Sequence, residues 1–132
     1  MNREDHINYW LNSADEDLKA AETLFHSGKY SWTLFIGHLI IEKALKALYI
    51  IENGNKIPPK IHNLVKLSEL SNLKLDEEKR ILLDEVNDFN LEARYPEFKN
   101  EFYKVCTREY AEHYFNKIKE IYTWLKSLIK SE

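Results

Sequence analysis

The 132-residue chain, with 44% hydrophobic, 31% charged and 13% aromatic side chains, has the composition of one globular domain with its own core and not of a disordered tail. A formal charge of −3 argues against a domain that wraps duplex DNA in a broad basic surface, though it leaves room for a local basic patch. The single cysteine, Cys106, excludes an internal disulfide, and no CxxC or paired Cys/His spacing points to zinc. A reducing cytoplasm is the expected compartment, and no metal or cofactor is expected.

Met1-Asn2-Arg3-Glu4-Asp5 lacks the basic, then apolar, then small-residue order of a signal peptide. Next, Ile7, Leu11, Ala14, Leu18, Ala21 and Phe25 recur at alternating steps of four and three, the spacing of one packed face of a long helix. Gly28 ends it. A second helix is predicted from about Tyr30 to Glu52, stopped by Asn53-Gly54-Asn55 and a loop with Pro58 and Pro59, so that the first two helices form an antiparallel hairpin.

Residues 32–51 approach membrane-spanning length, but His38, Glu42, Lys43 and Lys46 interrupt them. The stretch therefore reads as a buried bundle helix in a protein with no membrane association. His38, Glu42 and Lys46 lie four apart, on one face. Buried charge is costly unless it meets a partner. The simplest account is a local Glu42–Lys46 ion pair at the edge of the buried face; the alternative is that another part of the fold meets all three.

Asn63 is placed to cap a short helix carrying Leu64, Leu67 and Leu70, and Asp76 another from Glu77 to about Leu91. The longest irregular stretch is expected around Arg94-Tyr95-Pro96-Glu97-Phe98. A last helix, from about Thr107 to Lys130, gathers Ala111, Phe115, Ile118, Ile121, Tyr122 and Leu125 on one face. No segment alternates at period two for long enough to demand a strand. The predicted fold is all-α, a single domain over residues 1–132: an antiparallel up-and-down bundle of four long helices plus one short helix.

Three segments now stand in order: Glu42-Lys43-Ala44-Leu45-Lys46-Ala47-Leu48, then His62-Asn63-Leu64 after the proline-containing loop, then Ala93-Arg94-Tyr95-Pro96. Together, over nearly the whole chain, they resemble the HEPN domain of prokaryotes and higher eukaryotes. The resemblance implies a bundle of about five helices, a homodimer, and pairing with a small nucleotidyltransferase in a toxin–antitoxin module.

Many HEPN members are regarded as metal-independent ribonucleases with an R-x4-6-H motif, often assembled across a dimer cleft. Arg108 and His113 match that spacing, which a chain of this composition produces by chance at roughly 0.45 matches. In a continuous helix residues five apart diverge by about 140°, so the pair would have to converge across a dimer or at a frayed helix start. The family motif carries Asn, Asp or His directly after the arginine and often a tyrosine two beyond the histidine; Glu109 and Phe115 stand there in this chain. Arg94 has no histidine at the required spacing, since residues 99–101 are Lys99, Asn100 and Glu101.

The neighbourhood of His38, Glu42, Lys43, Lys46, His62, Arg94 and Tyr95 instead suits a nucleotide or RNA phosphate, because arginine grips phosphate bidentately and an aromatic ring stacks on a base. The sequence thus yields a leading expectation, a nucleotide- or RNA-binding or nucleotidyltransferase-partner component. One alternative is a ribonuclease in which His113 moves a proton and Arg108 stabilises phosphoryl charge. The other is a structural dimerisation domain without a ligand. The eight tyrosines and Trp10, Trp32 and Trp124 offer aromatic surface for a dimer or partner interface. HExxH, ExxH and P-loop motifs are lacking, which disfavours the corresponding metal and nucleotide-hydrolysis chemistries.

Overall fold

The Asn2 side chain caps the first helix, accepting the Asp5 backbone N–H at 2.8 Å, and Glu4 and Asp5 complement the positive end of the helix dipole. That helix, α1 (Arg3–His26), ends where Gly28 takes a φ of 77°, a conformation cheap only for glycine. The tight turn returns the chain as α2 (Tyr30–Glu52), which packs along α1 as the antiparallel hairpin that the sequence pattern predicts. The computed structural model describes residues 1–130, and of residues 91–94 and 96–99 the backbone alone.

The remaining elements are α3 (Leu64–Leu70), α4 (Glu77–Arg94), α5 (Pro96–Val105) and α6 (Arg108–Lys130). Every regular element among the described residues is helical. Asn63 caps α3 through the Lys66 N–H at 3.2 Å, and Asp76 caps α4 through the Lys79 N–H at 2.8 Å. Thr107 Oγ1 accepts the Tyr110 N–H at 3.2 Å to start α6.

The stretch around Arg94-Tyr95-Pro96, expected to be irregular, is instead a helix–helix junction. α4 runs on to Arg94, and Pro96 occupies the first turn of a further helix. Proline is well suited there, because its missing N–H has no partner in a first turn, and the residue before it is pushed extended: Tyr95 has φ −104° and ψ 125°. α5 is anchored by Phe102, buried and stacked on Phe89 with centroids 5.5 Å apart. The bundle thus has one short helix more than the sequence pattern predicts.

α2 is the hub, touching α1, α3, α4, α5 and α6. It buries Leu34, Ile40, Ile41, Ala44, Leu45, Ala47 and Ile50 on several sides at once, which explains why its sequence is apolar almost all round. α6 seats against it at Gly37, where a Cβ would lie 2.7 Å from Ile118 Cδ1, so glycine permits the close approach. No helix of the described residues is long and apolar enough to cross a membrane.

Candidate functional site

Within this hub helix, the polar residues at 38, 42 and 46 are also buried, with His38 fully enclosed and Glu42 and Lys46 at 4% and 7% exposure. Burial of charge on that scale demands partners. Both accounts offered by the sequence hold at once. Lys46 Nζ donates to Glu42 Oε2 at 3.0 Å within α2, and the segment before α3 delivers His62, whose Nδ1 lies 2.9 Å from Glu42 Oε1. The Lys46 ammonium also stands over the Trp10 ring, 5.3 Å from its centroid, so α1 helps to hold it.

His38 adds a second hold on the same segment. Its Nε2 lies 2.8 Å from the His62 carbonyl oxygen, which can only accept, so this nitrogen carries a proton. Asn90 of α4 donates from Nδ2 to His38 Nδ1 at 3.3 Å, which fixes the neutral tautomer. His38 Nδ1 is 3.6 Å from Glu42 Oε1, too far for a hydrogen bond, and in this tautomer it has no proton to share. His38 is thus a neutral strut and the charge resides on Glu42 and Lys46.

The segment leading to His62 is held from the other side as well. Asn87 Oδ1 accepts the Leu64 N–H at 2.8 Å, and Asn87 Nδ2 donates to Asn63 Oδ1 at 3.2 Å. Buried Pro58 and the adjoining Pro59 stiffen the approach. His62 is consequently fixed at its carbonyl and at one ring nitrogen while its side chain remains 55% exposed. With Nδ1–H donated inward, the other ring nitrogen, Nε2, has no protein partner among the described residues.

Other residues singled out by the sequence lie elsewhere. Lys43 sits on the adjoining face of α2 and ties it to α1, 2.7 Å from both Ser13 Oγ and Asp17 Oδ2. The Tyr95 ring is exposed at the α4–α5 junction. The Arg94 side chain lies outside the described residues. Arg108 and His113 both fall inside the continuous helix α6, about 140° apart around its axis. Arg108 reaches Glu112 at 3.8 Å, with both side chains largely in solvent. His113 lines a shallow depression with Glu109, Glu112 and Asn116, where a phosphate would meet two carboxylates.

Several titratable groups serve as ties between helices. Burial works to raise the Asp15 carboxyl, but hydrogen bonds from Tyr122 and Lys126 of α6 outweigh it and hold the group below the ordinary carboxylate range. Burial and then the Asp15 bond push the Tyr122 hydroxyl well above the ordinary phenol. Tyr114 of α6 and Glu85 of α4 make a similar pair, in which burial and the bond to Glu85 raise the phenol. Among the described residues, no three His, Cys, Asp or Glu side chains stand where they could hold a metal ion.

Three lysines near His62 escaped the sequence reading. From Asn53 to Ser68 the chain carries Lys56, Lys60 and Lys66 and no carboxylate. All three are exposed, and none makes an ion pair among the described residues. The signal was present as charge patterning in a chain that is acidic overall, but a loop without regular periodicity drew no weight.

The model of the HEPN domain matches residues 7–128 of this chain. Among solved structures, the protein TT1696 from Thermus thermophilus superposes with a TM-score of 0.77 at 22% identity, covering 96% of this chain and 98% of that one. The archaeal HEPN homologue ST0689 superposes at a TM-score of 0.71 and 23% identity, covering 98% of each chain. At these identities the likeness is one of fold. No curated protein matches the chain.

Proposed function

We propose, from the premise that this chain belongs to the HEPN domain family, that it binds RNA or nucleotide phosphate along the edge formed by residues 53–68. The observation that carries this reading is the mounting of His62. Two buried side chains of α2 hold its carbonyl and its Nδ1, while its side chain stays largely exposed amid a carboxylate-free run with three exposed lysines. Lysines supply the sequence-independent attraction for phosphate, and a fixed imidazole adds a directional contact.

The resemblance adds a homodimer and a small nucleotidyltransferase companion, as in a toxin–antitoxin module, to the same proposal. Exposed Trp32 on α2, Tyr95 at the α4–α5 junction, and Tyr103 and Val105 on α5 give such partners apolar surface to cover. The alternative, a ribonuclease built on Arg108 and His113 of one chain, fits poorly with their divergence on α6 and with Glu109 and Glu112 beside them.

Fluorescence anisotropy with a labelled single-stranded RNA tests the binding reading. Lys60→Ala/Lys66→Ala should weaken binding by about tenfold or more at low salt and flatten its salt dependence. Affinity and salt slope equal to those of the unaltered protein would contradict the assignment of this edge.

A further inference from the structure

α4 and α6 both pack on α2, but among the described residues their backbones scarcely approach each other, and between them lies an open cleft of about 290 Å³. Each helix lends the cleft a stripe about two turns long, within residues 78–85 of α4 and 117–124 of α6. Its walls are apolar, made by Ile81, Leu82, Ile121 and the Trp124 ring, and Ile81 stays 47% exposed in them. A lone apolar side chain at a surface needs no explanation, whereas an apolar slot recessed between helices under a charged rim has the form of a ligand site.

Two cross-links bound the slot. At one end Tyr114 of α6 donates to Glu85 of α4, and at the other the Lys79 ammonium of α4 lies over the Trp124 ring, 4.8 Å from its centroid. A docked helix needs a groove open at both ends; a slot of two turns, crossed at each end, suits a small molecule.

The rim selects the charge of that molecule. Lys79 is already matched by Asp76, whose Oδ2 is 2.9 Å from its Nζ. That leaves Glu78, Glu85 and Glu120 facing Lys117 alone, and neither Glu78 nor Glu120 has an ion-pair partner among the described residues. Lys79 also marks the place where the face of Trp124 takes an ammonium.

We propose that this cleft binds a small organic cation with an apolar body, of the arylalkylammonium class. The ligand ammonium replaces that of Lys79 over Trp124, with the carboxylates of Glu78 and Glu120 beside it, and the aryl body extends along Leu82 and Ile121. Lys79 keeps its bond to Asp76 and is the occupant that the ligand displaces.

Isothermal titration calorimetry on the full chain tests this with phenethylammonium, phenethyl alcohol and hydrocinnamate, which share an aryl body and differ in charge. Phenethylammonium should bind at one site, about tenfold or more tighter than either of the others. Glu78→Gln/Glu120→Gln, a change of two exposed side chains that should leave the circular dichroism melt unaltered, should erase most of that preference. Trp124→Leu should weaken phenethylammonium more than phenethyl alcohol. Lys79→Met should tighten the cation by about threefold or more, because the competing ammonium is gone.

Failure of phenethylammonium to bind overturns the proposal. Hydrocinnamate binding as tightly as the cation overturns its charge assignment. Cation affinity that is unmoved by Glu78→Gln/Glu120→Gln, or that falls in Lys79→Met, places the ligand away from this cleft. Each outcome leaves RNA binding at residues 53–68 to its own assay.

Discussion

Two parts of this molecule each pair histidine with charged neighbours, and they differ in what holds them. Around His62, the side chains of α2 and α4 and the segment before α3 fix one another across distant parts of the chain, with Glu42 and Lys46 almost out of water. At the start of α6, Arg108 meets only Glu112 among the described residues, one turn along, and His113 projects from another side of the same helix. The first arrangement has a direction imposed by the fold; the second, within one chain, is a solvated helix surface. Sequence spacing counts residues, whereas chemistry needs side chains mounted toward a common point.

The largest break in this contrast should come from Glu42→Ala. Lys46 would be left buried without its carboxylate, and stability should fall by about 3–5 kcal/mol, read as a lower urea midpoint. His38→Phe keeps the ring volume but abandons the His62 carbonyl and the Asn90 amide, and should cost about 2 kcal/mol in the same assay.

Tyr122→Phe tests a tie between helices that takes no part in the candidate site, and should cost about 1 kcal/mol near neutral pH. Its pH dependence has a definite sign. Asp15 titrates lower in the fold than its ordinary 3.8, so its contribution is present above that pH and fades as pH falls through the folded value. Tyr122 titrates above its ordinary 10.0, so its contribution is whole below that pH and fades as pH rises past it. The variant should therefore lose less stability than the unaltered protein on moving from about pH 9 to above about pH 10, with Tyr114 responsible for the remaining alkaline loss. An unaltered alkaline slope would remove Tyr122 from this role.

The smallest effect belongs to Arg108→Ala. An exposed pair one helical turn apart contributes little, and the change should be within about 0.5 kcal/mol. A cost comparable to that of His38→Phe would mean that Arg108 has a partner from another copy of the chain, and would erase the contrast on which this account rests.

Much of the fold was legible because its causes are local or periodic. Asn63 and Asp76 do cap α3 and α4, Gly28 does break α1 from α2, and the apolar stripe of α6 does pack inward. α5 was hidden because Pro96 punctuates the chain without saying whether a loop or a fresh helix follows. The stripe at 38, 42 and 46 announced that something must meet it, but periodicity holds no information on which distant loop does so. Lys43 shows the same limit: one residue from Glu42, it points to α1 instead of joining the cluster. Asn90 and Asn87 gave no signal at all, because an asparagine on a helix looks the same in sequence whether it faces solvent or braces a buried histidine.

The most direct test of the central claim is the tautomer of His62, read by long-range proton–nitrogen correlation NMR on a sample labelled at histidine nitrogens. The structure predicts His62 with its proton on Nδ1 and a bare Nε2, opposite to His38, which carries its proton on Nε2. A neutral His62 protonated on Nε2 instead would mean that Glu42 does not hold the ring, and would contradict both the oriented imidazole and the function built upon it.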